Sequence, residues 1–405
     1  MCYMPPMPRL GTRLSVVQPS ATVAIATKAK QLKAQGVDVL SFSVGEPDFD
    51  TPAHIREAAK DAIDAGHTRY TAARGTLELR QAICAASERR RGVKHSPAEV
   101  VVSVGAKHTL FNLAMVLLDP GDEVIMPAPH WVSYPAQVEI AGATPIIINA
   151  DAESGYLMTP AQLTAALNEK TKAVILCSPS NPTGAAYDRA QLEAMAEVLR
   201  GHDCWIIIDE IYGELVYGDF EQFSLLSVAP DLRERIIIVD GVSKTYAMTG
   251  WRIGWMLGPE RVANECNKLQ SQSTTGPTTV AQFAAQAALT APQESVEAMR
   301  QAFEARRDHL VAALRKIDGV KCAMPQGAFY AFPDVSAFIG GTVGGRTLET
   351  DIDLCTYLLD EARCAFVPGS PFGAPGHLRF SYAVSIETLN AGVSRLTKAL
   401  AAIER

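Results

Sequence analysis

From about residue 98 to 258 the chain alternates between two patterns of apolar residues. One is short and almost wholly apolar: "AEVVVSVG", "DEVIMPAP", "TPIIINAD", "TKAVILCSPS", "DCWIIIDE", "RIIIVDG" and "RIGWMLG". These runs are rich in Val and Ile, and Gly, Pro, Ser or Asp closes several of them, so they read as strands buried on both faces. The other pattern repeats at helical spacing, as in "AKHTLFNLAMVLL", "AQLTAALNE" and "AQLEAMAEVLR". Strands of this kind alternating with helices predict an α/β fold, a mostly parallel central sheet with helices on both faces.

After residue 292 the pattern changes. "ESVEAMRQAFEARRDHLVAALRKI" predicts a long amphipathic helix, and short strands follow around "GAFYAFPDV", "CAFVPG" and "HLRFSYA". That is the pattern of a smaller α+β domain. "TVAIATKAKQLKAQG" is a helix with no strand before it, so the N-terminal segment is assigned to the same unit. The expected division is a large domain over 45–295 and a small domain built from 1–44 and 296–405.

Composition narrows the functional classes. A chain of 405 residues buries a large core without metal or disulfide staples. A formal net charge of −7 argues against nucleic acid and anionic membranes as partners. The densest basic cluster, "ERRRGVK" around Arg90, reads as a solvated helix end. None of the eight cysteines forms a C-x-x-C pair, so they read as reduced core residues of a cytoplasmic protein. No apolar run approaches the roughly 18–20 residues of a membrane span. "MCYMPPMPRLGTRL" lacks the apolar centre of a secretory signal. H-E-x-x-H, P-loop and G-x-G-x-x-G motifs are absent, so no metal site or nucleotide fold is expected.

In open α/β sheets ligands sit beyond the carboxyl ends of strands, and several polar residues fall there. Gly105, Ala106 and Lys107 open a helix directly after a strand, which suits either a plain turn or an anion at the free N–H groups. Asn181 lies in the rigid turn "SPSNPTG", where turn chemistry alone is a sufficient reading. Asp209 ends "WIIID"; it either caps the next helix or, as a buried carboxylate, needs a donor or a cation. Tyr212 would share a helical face with it. Lys244 and Arg252 stand eight residues apart in "DGVSKTYAMTGWRIGW", with little nearby acid. Burial near another cation would leave the lysine neutral and nucleophilic, and the planar arginine fork would suit a phosphate.

"SPSNPTG", "IIIDEIY" and "SKTYAMTGWRIGW", in that order, resemble the class I and II aminotransferases with the fold of aspartate aminotransferase. The resemblance runs from about Leu14 to the last helix. "QPSATVAIATKAKQLKAQGVDVLSFSVGEPDFDTP" and "SQSTTGPTTVAQ" are similar to the bacterial branch that includes aspartate and prephenate aminotransferases. It implies pyridoxal 5′-phosphate, with Lys244 forming the Schiff base and then moving the proton during transamination. Asp209 would pair with the pyridine nitrogen, and Tyr212 and Asn181 with the phenolic oxygen. Arg252, Ser243 and the Gly105–Ala106–Lys107 turn would hold the phosphate, and Trp131 would stack on the ring. Arg379 in "HLRFSYA" would grip the substrate α-carboxylate beside the backbone at Gly45. Tyr70 would reach the phosphate of a neighbouring subunit, which implies a homodimer. Many relatives carry serine three positions before the lysine; here Gly241 stands there.

The resemblance also bears on substrate. No arginine occurs between Arg261 and Arg300, where another branch places its side-chain carboxylate partner. Lys107 and Thr22 match the pair used instead by the branch this chain resembles. Amino transfer from L-aspartate to 2-oxoglutarate is therefore the leading expectation. Prephenate or an aromatic amino acid is the alternative, with Trp131, Tyr70 and Phe329 as an apolar wall. A pyridoxal-phosphate lyase would use the same cofactor residues. A regulator with an aminotransferase-like sensing domain is disfavoured, because the short segment before the first family motif is not basic.

Overall fold

The Val- and Ile-rich runs assemble into one seven-stranded sheet in the computed structural model, which describes residues 10–17 and 25–405 and the backbone of residues 21–24. Across the sheet the strands run Val100–Val104, Ile253–Leu257, Ile236–Gly241, Trp205–Asp209, Thr171–Cys177, Glu123–Ala128 and Thr144–Asn149. The last five are mutually parallel. Ile253–Leu257 is antiparallel to both of its neighbours. Only 11 residues, 242–252, join it to the preceding strand. That loop contains no α-helix, and a parallel crossover needs about a dozen residues or more and usually a helix, so the chain turns back beside its own strand.

Strand alternation feeds a core on each face. Val100, Val102, Ile206, Ile208, Ile236 and Ile238 join one cluster, while Val101, Ile207, Ile237 and Val239 join another. Both faces are apolar because helices cover both, which is why the strands read as continuous hydrophobic runs.

A further core gathers around the helix Glu294–Leu314 and a three-stranded antiparallel sheet, Val367–Pro368, Leu378–Ser381 and Tyr330–Ala331. Leu40–Ser41 pairs in parallel with Cys364–Ala365, and Phe42 packs on Phe366 and Phe380. The N-terminal segment and the tail therefore share this core. So do Ile211, Tyr212, Leu215 and Tyr217, from just beyond the Trp205–Asp209 strand. That strand end thus joins the two packing regions directly.

The basic cluster departs from its expected solvated state. Arg90 and Arg91, at the end of the helix Leu77–Arg91, have side chains only 9% and 8% exposed. They are drawn inward by Glu210, Glu214 and Asp240, acids far away in sequence. Seven free cysteines are buried; Cys2 lies outside the described residues. Among the described residues no helix is long and apolar enough to cross a membrane.

Candidate active site

The loop 242–252 places both of its cations at one rim of the sheet, because its two flanking strands are neighbours in register at Gly241 and Gly254. Arg252 adopts φ +56°, a left-handed conformation uncommon for a residue with a side chain. That turn sends its guanidinium to the Gly105 turn, where a Cβ on Gly105 would lie 2.6 Å from Arg252 Nη2. Gly105 itself has φ +81°. Gly254 lies directly beneath this turn: a Cβ there would stand 2.6 Å from the Gly105 carbonyl carbon. Gly241 is equally confined, with a Cβ placed 2.9 Å from Ile253 O and 3.0 Å from Gly254 Cα. A serine at 241 therefore has no room without a backbone shift.

A cavity of about 300 Å³ opens at this rim. Lys244 and Ser243 line it from the loop, Ala106 and Lys107 from the helix start, and Asp209 and Tyr212 from beyond the Trp205–Asp209 strand. Asn181, Trp131, Gly45, Arg252 and Arg379 line it as expected; Gly105, also expected, does not, and sits behind the Arg252 guanidinium. Tyr70 is 92% exposed and does not line the cavity. Thr22 has its side chain outside the described residues. Phe329 is fully buried and packs behind the cavity against Tyr212 and Tyr330.

Charge is unevenly distributed here. Lys244 Nζ donates to Gly45 O at 2.5 Å, and Arg252 Nη1 to Thr249 O at 2.7 Å. Arg379 donates from Nη1 to Asn181 Oδ1 at 3.0 Å and from Nη2 to Ser43 O at 2.8 Å. Its plane lies over the Tyr330 ring at 4.6 Å, and its buried Nε has no partner among the described residues. Lys107 Nζ lies over Trp131 at 4.8 Å. Among the described residues none of these four cations forms an ion pair.

Burial, then the nearby Arg379, brings the Lys244 amine down to about 8; Glu46 opposes the shift. Desolvation and then Arg252 also lower Lys107. Asp209 is 4% exposed, and burial pushes its carboxyl up to about 6 against the stabilising hydrogen bonds it accepts. Those come from Tyr134 Oη at 2.7 Å and Ile211 N at 3.1 Å. Tyr212 and Tyr330 share a hydrogen bond of 3.0 Å, and burial first, then their mutual contact, raises the Tyr212 hydroxyl well above its ordinary range.

Five cavity residues were not foreseen: Tyr134, Cys177, Ile211, Thr249 and Tyr330. Tyr134 had a usable signal, since it stands three residues after Trp131 at a helix start and its ring meets that indole edge-on. Tyr330 arrives from the tail through the three-stranded sheet, and nothing local announces it.

These residues fit a phosphorylated pyridine aldehyde. Among the described residues Lys107, Arg252 and Arg379 have no carboxylate partner, and the three match its phosphate and a substrate's carboxylates. At the buried end Asp209 lacks a cation and would take a protonated ring nitrogen. The lysine between them, its amine brought down to about 8, has the chemistry to condense with an aldehyde.

A mostly parallel sheet with a lysine, a buried aspartate and an arginine at one rim defines an enzyme site of the pyridoxal-phosphate kind. Residues 37–396 match the family described as aminotransferase class I and II, and the chain belongs to it. It is a pyridoxal-phosphate-dependent aminotransferase. The aspartate/prephenate aminotransferase of Cereibacter sphaeroides is 47% identical over 96% of this chain and 97% of its own. The aspartate aminotransferase of Geobacillus stearothermophilus is 46% identical over 96% and 98%. Among solved structures, the aspartate aminotransferase from Rhizobium meliloti superposes with a TM-score of 0.94 at 41% identity, over 98% of this chain and 100% of that one. The Thermus thermophilus enzyme with maleate gives 0.91 at 41% identity, over 97% and 100%.

Proposed function

We propose that the enzyme transfers the amino group of L-aspartate to 2-oxoglutarate, giving oxaloacetate and glutamate. The observation that carries this is that, besides Lys244, the cavity has three cations without carboxylate partners among the described residues, Lys107, Arg252 and Arg379, one more than a single phosphate and one carboxylate require. The names of the relatives, and the four-carbon dicarboxylate maleate in the Thermus structure, support it.

In this reading bound pyridoxal phosphate supplies an aldehyde for the amino group and a ring that withdraws electrons from Cα. Lys244 Nζ holds the cofactor at rest, then takes the proton from the aspartate Cα and later returns one to the Cα of the oxo acid. Asp209 keeps a proton at the ring nitrogen, and Tyr212 and Asn181 donate to the phenolic oxygen. Arg252, Ser243 and the amides from Gly105 to Lys107 hold the phosphate, while Trp131 orients the ring. Arg379 takes the α-carboxylate beside Gly45; its planar fork suits that group. Lys107, with Thr22, takes the second carboxylate.

Residues 45–295 would act as one body and 1–44 with 296–405 as the other, so that substrate binding to Arg379 draws them together and expels water. Tyr70 would complete the phosphate site of a partner subunit in a homodimer. Its exposure supports this, as does the fixing of its flanks: Thr279 Oγ1 donates to Arg69 O at 2.7 Å and Gln282 Nε2 to Thr71 Oγ1 at 2.9 Å. The enzyme would work in the cytoplasm, where its free thiols remain reduced. Prephenate is the second acceptor to consider, because the Cereibacter relative is named for both substrates and Trp131 offers an apolar face beside Lys107.

The test is the visible absorbance of the purified protein with pyridoxal phosphate, followed through addition of L-aspartate, with oxaloacetate assayed with and without 2-oxoglutarate. Loss of the visible band and acceptor-dependent turnover are expected. A protein that stays colourless with cofactor, or turnover that needs no acceptor, overturns the reading.

A further inference from the structure

Asp209 ends one strand and Lys244 lies just beyond the next, so their separation depends on how those two strand ends are held. Asp209 is in register with Val239, which puts the residues that follow, Glu210 and Asp240, side by side. Both are buried, at 3% and 2% exposure, and neither lines the cavity. Two adjacent buried carboxylates repel unless a cation lies between them. Arg91 is that cation. Its Nε donates to Glu210 Oε2 at 2.5 Å and its Nη2 to Asp240 Oδ2 at 2.8 Å. Asp240 Oδ1 in turn accepts from Gly241 N at 2.7 Å, at the root of the lysine loop. Arg90 ties the other side of that loop: Nη2 donates to Tyr246 Oη at 2.8 Å, two residues past Lys244, and Nε lies 2.8 Å from Glu214 Oε1.

We propose that Arg91 is a positioning residue for the reaction: bridging Glu210 and Asp240, it fixes the spacing between Asp209 and Lys244. The inference rests on the roles proposed above for those two residues. A network held only for stability has an easy replacement, since well-packed apolar side chains often match or exceed a buried ion pair. What apolar packing does not supply is direction. The guanidinium is a rigid planar fork whose arms fix two carboxylates at once, one adjacent to Asp209 and the other four residues before Lys244. A misplacement of about 1 Å at reacting groups costs about 10²-fold in rate, so a tie of this kind has a catalytic consequence without touching substrate.

The test compares the cofactor-loaded wild type with Arg91→Lys and with the neutral triple variant Arg91→Met, Glu210→Gln, Asp240→Asn, which leaves no unpaired charge. Each is studied well below its melting midpoint. The readouts are kcat, the KM for aspartate and the absorbance band of bound pyridoxal phosphate. The expected result is a fall in kcat of about tenfold or more, with KM within about twofold and a displaced band. A variant that binds cofactor, keeps the band and keeps kcat within about twofold overturns the proposal. If neither variant retains cofactor, Glu210→Gln alone decides by the same criteria. A wild type that loads cofactor but does not turn over aspartate would instead refute the aspartate reading.

Discussion

Two groups of cations gather at the carboxyl ends of the same strands and are handled in opposite ways. Arg90 and Arg91 meet Glu210, Glu214 and Asp240, so their charge is balanced inside the chain. Lys107, Lys244, Arg252 and Arg379 meet backbone carbonyls, an asparagine and aromatic faces, with Asp209 set apart at the buried end. The first group has its counter-ions supplied by the fold. The second leaves charge for something that arrives. Arg379 is buried and Lys244 half-buried without an acid, which is costly, so their persistence points to a ligand, whereas a balanced pair points to geometry.

The largest effect that tests this contrast is at Lys244. Lys244→Ala removes the amine that moves the proton, and kcat should fall by about 10²–10⁴-fold or more in steady-state assays, with the fold retained by circular dichroism. Arg379→Lys should come next. Loss of a bidentate grip, about 3 kcal/mol, lowers kcat/KM for aspartate roughly 10²-fold. Denaturant melts of the same variant should stay close to wild type. Arg91→Met reverses the order: it strands two buried carboxylates and should cost about 3–5 kcal/mol in those melts. If Arg91→Met melts like the wild type while Arg379→Lys collapses, the contrast fails.

Asp209 gives a pH-dependent form of the same argument. Its carboxyl stands at about 6 in the folded protein, pushed up by burial, against about 3.9 when unfolded. The unfolded chain therefore loses this proton first as pH rises. Stability of the cofactor-free protein should fall between about pH 4 and 6 and stay lower above, by on the order of 3 kcal/mol. Asp209→Asn removes that penalty, so without cofactor it should be more stable than wild type at neutral pH and lose the advantage below about pH 4. Equal melts at neutral pH would show that Asp209 is not strained by burial. The smallest effect is at Lys107. Lys107→Ala should lower kcat/KM for aspartate about tenfold, through one lost charge-assisted bond, and leave aromatic amino acids almost unchanged. Unchanged aspartate kinetics would remove Lys107 from the substrate site.

Much of the fold was legible in the chain because its evidence is local. Val- and Ile-rich runs at strand length, separated by helical periodicity, specify strands buried on both faces whatever lies beside them. Several site residues were legible for a similar reason: Asp209 at the end of four apolar residues, and Lys244 and Arg252 in an acid-poor loop, are conspicuous in one dimension. The direction of Ile253–Leu257 was not, because a strand's pattern is the same in either sense and only the short connection decides it.

"ERRRG" shows the limit most clearly. The run has the composition of a solvated helix end, yet Arg91 meets partners 119 and 149 positions away, at Glu210 and Asp240. Tyr330 is a similar case, brought from the tail by an antiparallel pairing with Phe380 and Ser381. At Gly241 the sequence registered a missing hydroxyl, and the structure gave the reason in the close approach of Gly254 beneath it. The sequence by itself determined the strands, the helices and which polar residues stand at strand ends, since each depends on neighbours along the chain. Tertiary structure alone decided which cations find acids and which are left to bind a ligand, because charge balance is set by distance in space.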